Sequence, residues 1–185
     1  MNLAIFSDDL TASTQEECAL QRALCMAGIG SVRRVLELCA GPSLPTFERA
    51  YAHHGISVTG NDIDSRWQRS YPGGKWLMGD ALTVPLAGFD AVVFAPPMSR
   101  GCTGRREDSL MVWEVEPGYL DFVARLGSFK GIVVLVLPGR ALATRDDRTQ
   151  FYELQARLPV PSCPVTLRAG HKGIAKYHDL YLDLR

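Results

Sequence analysis

The sequence predicts an α/β fold: a three-layer sandwich around a mostly parallel, seven-stranded sheet that ends in an antiparallel hairpin. Three observations point there. Short apolar runs of strand length alternate along the chain with amphipathic stretches of helical length. The last two runs are joined by a glycine-bearing turn too short for a crossover helix, so they pair as antiparallel neighbours. Hydrophobic residues make up 46% of 185 residues, enough for the core of one domain spanning 1–185.

The elements follow in order. Residues 9–27 read as a helix: Thr14 and Glu17 have capping-box spacing, Leu20, Ala23, Leu24 and Ala27 recur at helical spacing, and Gly28 and Gly30 stand where it stops. Residues 1–30 are thus expected to form an N-terminal helical extension. Residues 35–39 read as a buried strand and 45–54 as a short helix stopped by Gly55; His53 and His54 at its end read as capping or surface residues. Strands are expected at 56–60, 75–78, 89–94 and 132–137. The stretch 65–75 is polar and broken by Pro72-Gly73-Gly74, and reads as a loop. Helices are expected at 117–126 and 144–158, and the closing strands at 165–168 and 177–184.

Composition narrows the function. Lys plus Arg equals Asp plus Glu at 20 each, so no global field draws the chain to nucleic acid or an anionic membrane. Five cysteines without CxxC spacing form neither a zinc site nor a disulfide frame. This pattern leads us to expect a reducing, cytoplasmic setting. The N-terminus lacks the basic-then-apolar order of a signal peptide, and no apolar run reaches the ~20 residues needed to cross a bilayer.

In open parallel sheets, ligands bind beyond the carboxyl ends of the strands. Four successive strand ends carry polar or turn-forming signals: Ala40-Gly41-Pro42-Ser43, then Asp62, then Asp80, then Pro96-Pro97. The first turn has only Gly41, not the glycine-rich cradle that holds a dinucleotide's pyrophosphate. Asp62 stands where an acid accepts hydrogen bonds from two ribose hydroxyls, and Asp80 where a carboxylate meets an adenine edge. Glu37, inside the first strand, is placed to be a counter-charge. Asp64 is either a further site acid or a helix N-cap. Cys39 reads as a small core residue before a nucleophile.

Val35-Leu36-Glu37-Leu38-Cys39-Ala40-Gly41-Pro42-Ser43 resembles motif I of the class I S-adenosylmethionine-dependent methyltransferases. Gly60-Asn61-Asp62-Ile63-Asp64 looks like that family's ribose-binding acid, and Gly79-Asp80-Ala81 like its adenine-contacting acid. Ala95-Pro96-Pro97-Met98 is similar to the Asn/Asp-Pro-Pro-aromatic motif of amino-methylating members. The resemblance covers roughly residues 31–185. It implies a Rossmann-like fold, S-adenosylmethionine as cofactor and methyl transfer as activity. It also implies cofactor binding by Glu37, Cys39, Gly41, Ser43, Asp62, Ile63, Asp80, Ala81 and Ala95. Pro96, Pro97, Met98 and Arg100 fall on the acceptor side.

Ser43 stands where motif I usually has a second glycine. Ala95 and Met98 replace the polar and aromatic residues that, in the family, hold and stack a flipped base. Methylation of an exocyclic base amine is therefore not implied, and no general base stands out. The acceptor is left open among small molecules, protein and RNA, and a non-catalytic cofactor-binding module or partner subunit is the alternative. The segment 98–116 carries Arg100, Arg105 and Arg106 beside Glu107 and Asp108, with Trp113 and Tyr119 near. It is either a self-paired solvated loop or a lid over an acidic acceptor. His171 and Lys172 sit in the hairpin turn at the same end of the sheet.

Overall fold

The computed structural model describes residues 14–97, 114–139, 141–169 and 174–185. Met98, Arg100, Arg105, Arg106, Glu107, Asp108, Trp113, His171 and Lys172 lie outside the described residues. So does most of the expected lid.

The elements run α1 (Thr14–Ile29), β1 (Arg34–Leu38), α2 (Leu44–Ala52), β2 (Ser57–Asp62), α3 (Ser65–Ser70), β3 (Trp76–Met78), β4 (Ala91–Phe94), α4 (Tyr119–Arg125), β5 (Ile132–Pro138), α5 (Arg145–Ala156), β6 (Ser162–Ala169) and β7 (Ile174–Asp183). The strands form one seven-stranded sheet in the order β3-β2-β1-β4-β5-β7-β6. β1 to β5 are parallel, and β7 runs antiparallel to both β5 and β6. The expected fold and its C-terminal hairpin are therefore present.

Side-chain alternation along the strands sorts the core into two layers. Val35, Val58, Val93, Val134 and Val136 pack against Ala23 and Met26 of α1 and Phe47 and Tyr51 of α2. Leu36, Leu38, Phe94, Leu135 and Leu137 face Phe122 of α4 and Phe151 and Leu154 of α5. β5 is buried on both faces over its whole length, as a strand between β4 and β7 with helices on both faces must be. The α2 layer lies close against β2: a Cβ at Gly60 would stand 2.8 Å from a Leu44 methyl. Tyr119 is an anchor, buried with its hydroxyl donating to Val136 O at 2.7 Å.

Three elements differ clearly from expectation, the first being β7, which starts at Ile174, upstream of the expected 177. Ser65–Ser70 is helical where a loop is expected. Asp64 is its N-cap, accepting the Arg66 amide at 2.9 Å, and this settles the two readings of Asp64 in favour of the cap. β6 begins at Ser162, upstream of the expected 165, because Pro164 is tolerated on the sheet edge.

Candidate functional site

β1 has β2 on one side and β4 on the other, so the chain reverses its direction of growth across the sheet at β1. The crevice of such a sheet opens at the carboxyl ends of β1 and β4. Cys39 follows β1 with φ +57°, Ala40 is right-handed, and Gly41 returns to φ +51°. Alternating handedness of this kind turns successive amides toward one concavity, which attracts an anion. Here the anion is the protein's own: Gly41 N–H donates to Asp62 Oδ2 at 2.9 Å, while Ala40 N–H donates to Asn61 O at 2.8 Å. Asp62 Oδ1 accepts the Asp64 amide at 2.9 Å. Each Asp62 oxygen thus accepts one amide and keeps lone-pair capacity for another donor.

The structure brings Asp62 and Asp80 to one rim. Asp62 pairs with Met78, and Gly79 N–H donates to Asp62 O at 3.1 Å, which places Asp80 one residue further along the same edge. Asp80 is exposed, and its Oδ1 accepts the Leu82 amide at 2.8 Å. Ala81 is buried beneath it, and the Arg125 guanidinium of α4 donates to Ala81 O and Val84 O, bracing this turn from below. Both carboxylates act on Cys39: burial first, then Asp62 and Asp80, push its thiol up to about 12. A thiol so protonated at neutral pH is neither base nor nucleophile. Ile63 at 76% exposure and Met78 at 37% give the same rim an apolar surface.

Beside this turn lies a cavity of about 120 Å³, room for several water-sized groups. Cys39, Ala40 and Ser43 of the first turn line it together with Ala95, Val136, Arg22 and Tyr177. Pro96 is buried at the end of β4, and Pro97 is exposed. Glu37 lies behind, wholly buried in the α1–α2 layer. Its Oε1 accepts the Tyr51 hydroxyl at 2.8 Å and its Oε2 has no partner. Burial pushes its carboxyl up to about 7, against the pull of Arg22 and the Tyr51 hydrogen bond.

Three features of this site are missed by sequence reasoning. Trp67 of α3 places its indole nitrogen 3.8 Å from where a Gly41 Cβ would stand; the short polar helix that carries it gave no periodic signal. Arg22 forms a buried ion pair with Asp179, 157 residues away, at 2.6 Å. Asn61 is buried within β2, and a polar residue in a strand interior is the signal that marks it.

No protein-family model matches the chain, and no curated protein matches it in sequence. Solved structures do. The catalytic domain of human Mettl16, in complex with a MAT2A 3′UTR hairpin, is similar with TM-score 0.61 and 13% identity over 96% of this chain and 73% of that one. The methyltransferase domain of bacterial Hen1 gives 0.60 and 10%, over 92% and 100%. The magnesium protoporphyrin IX methyltransferase of Synechocystis PCC 6803, with bound S-adenosylmethionine, gives 0.53 and 11%, over 96% and 86%. The strand order, the hairpin and these likenesses together show that this chain has the fold of the class I S-adenosylmethionine-dependent methyltransferases.

Proposed function

We propose that the protein binds S-adenosylmethionine along the rim from Cys39 to Ala81 and transfers its methyl group to an acceptor that approaches over the end of β4. The observation that carries this reading is the Asp62 carboxylate, which fixes the first turn through Gly41 and still has acceptor capacity beside Asp80. The residues present fit an adenosine: two carboxylates for hydroxyl and amine donors, with the exposed apolar side chains of Ile63 and Met78 next to them in the chain and the ladder. They do not fit a dinucleotide, because the amides of Ala40 and Gly41 that would hold a pyrophosphate are already engaged. In this reading Asp62 takes the ribose, Ile63 an adenine face, and Asp80 with Ala81 the adenine edge. Cys39, Gly41, Ser43 and Ala95 border the tail, with the buried Glu37 behind it.

The cofactor, when bound, supplies a sulfonium leaving group that already carries the methyl. The chain's own task is then alignment and exclusion of water, which can account for ~7–11 kcal/mol of a barrier. The high thiol pKa of Cys39 is consistent with a mechanism that rests on alignment rather than on a base. Pro96 and Pro97, at the end of β4, border the acceptor side.

Calorimetric titration with S-adenosylmethionine, S-adenosylhomocysteine and NAD tests cofactor choice. The first two should bind and NAD should not; heat from NAD alone would overturn the reading. Transfer of labelled methyl into separated small-molecule, protein and RNA pools tests catalysis and names the acceptor class. Tight binding with no transfer into any pool would leave a binding module instead.

A further inference from the structure

We infer that Asn61 is a positioning residue for base selectivity: its side-chain amide holds the β3 turn so that Asp80 faces the base. This inference rests on the adenosine reading of the rim.

β3 is only three residues long and lies at the sheet edge, and its ladder with β2 ends at the Asp62–Met78 pair. Nothing in the ladder reaches Asp80. Gly79, the link between them, has φ +140° and open space around its Cα, so it does not fix the direction of the chain by itself. Beside the Gly79 N–H bond to Asp62 O and the Arg125 brace at Ala81 O, Asn61 adds a side-chain tie. Its Nδ2 donates to Leu77 O at 2.8 Å and to Gly79 O at 2.9 Å, clamping the carbonyls on either side of Met78. Its main-chain O receives the Ala40 amide, so one residue ties the first turn to the third. Both carbonyls are acceptors, which fixes the nitrogen of the amide toward them.

The side chain is wholly buried, yet its Oδ1 has no partner. A buried, unsatisfied oxygen costs stability. An aliphatic residue would serve the strand better if the strand were all that mattered. The position is therefore used for its two N–H groups, and their effect falls on the peptide that leads to Asp80.

The test compares S-adenosylhomocysteine with S-inosylhomocysteine, in which an oxygen replaces the adenine amine. Affinities are measured calorimetrically for the wild type, Asn61→Val, Asn61→Thr, Asp80→Ala and the double variant Asn61→Val with Asp80→Ala. Wild type should prefer the adenosyl ligand at least tenfold. Asn61→Val should lose most of that preference, as Asp80→Ala does, and the double variant should lose no more. Asn61→Thr has the shape of valine and one donor, and should recover part of it. An equal loss for both ligands, leaving the ratio intact, would make Asn61 merely structural and overturn the inference. Wild type that binds neither ligand would instead overturn the adenosine reading itself.

Should the substitutions prevent folding, the native protein provides the measurement. The Asn61 Nδ2 protons should exchange slowly by NMR, and more slowly still when saturated with S-adenosylhomocysteine. Fast exchange indifferent to that ligand would contradict the inference.

Discussion

Glu37 and Cys39 lie two residues apart and titrate abnormally for the same first reason, burial. For Glu37 the native protein holds the proton more tightly than the unfolded chain, since its pKa rises from 4.5 to about 7. Stability from this group is full below pH ~4.5 and is lost as pH rises through ~7, on the order of 3 kcal/mol in all. Glu37→Gln keeps an acceptor for Tyr51 and removes the titration. Relative to wild type, its melting temperature should therefore rise between pH 5 and pH 8; an unchanged difference would show that native Glu37 is already ionised at pH 5. For Cys39, alkylation of the native protein at pH 8.5 followed by mass spectrometry should modify the exposed Cys163 while Cys39 reacts at least ~100-fold more slowly. Comparable rates would contradict the assigned burial. Glu37 is visible in sequence as an acid within an apolar strand. The left-handed conformation of Cys39 is not, because a cysteine at that place carries no sign of the turn that glycine would announce.

At the scale of elements, α1 is held to the sheet by more than its apolar face. Arg22 donates through Nε and Nη2 to both oxygens of Asp179 on β7, at 2.6 and 3.0 Å, with both side chains buried. Removing one partner strands the other's charge, so Arg22→Met should cost ~3–5 kcal/mol in urea unfolding, and the added Asp179→Leu should recover most of it. A loss below ~1 kcal/mol for the single variant would mean that Asp179 finds other solvation. Long apolar or amphipathic elements were legible: β5 by its continuous run, and α5 by its amphipathic spacing, though the reciprocal Thr144–Asp147 cap that starts it was not read. α3 was not, since Ser-Arg-Trp-Gln-Arg-Ser has no apolar period and owes its helix to the Asp64 cap. The Arg22–Asp179 pair has no local signal at all, because only the closed sheet brings α1 and β7 together.

For the whole molecule, sheet order converts dispersed acids into one rim. Asp62 and Asp80 are readable in sequence as strand-end residues, and the order β3-β2-β1-β4 sets their strand ends side by side. What could not be read is that Asp62 spends part of its carboxylate on the Gly41 amide, 21 residues away, which makes the same residue a structural clamp and a candidate ligand. The most direct test of that rim is a paired calorimetric titration of wild type and Asp62→Ala with S-adenosylhomocysteine. The expected result is tight binding by wild type and a loss of ~1–3 kcal/mol in the variant, roughly 5- to 150-fold in Kd. Equal affinities in the two proteins would remove Asp62 from the pocket and contradict the adenosine site.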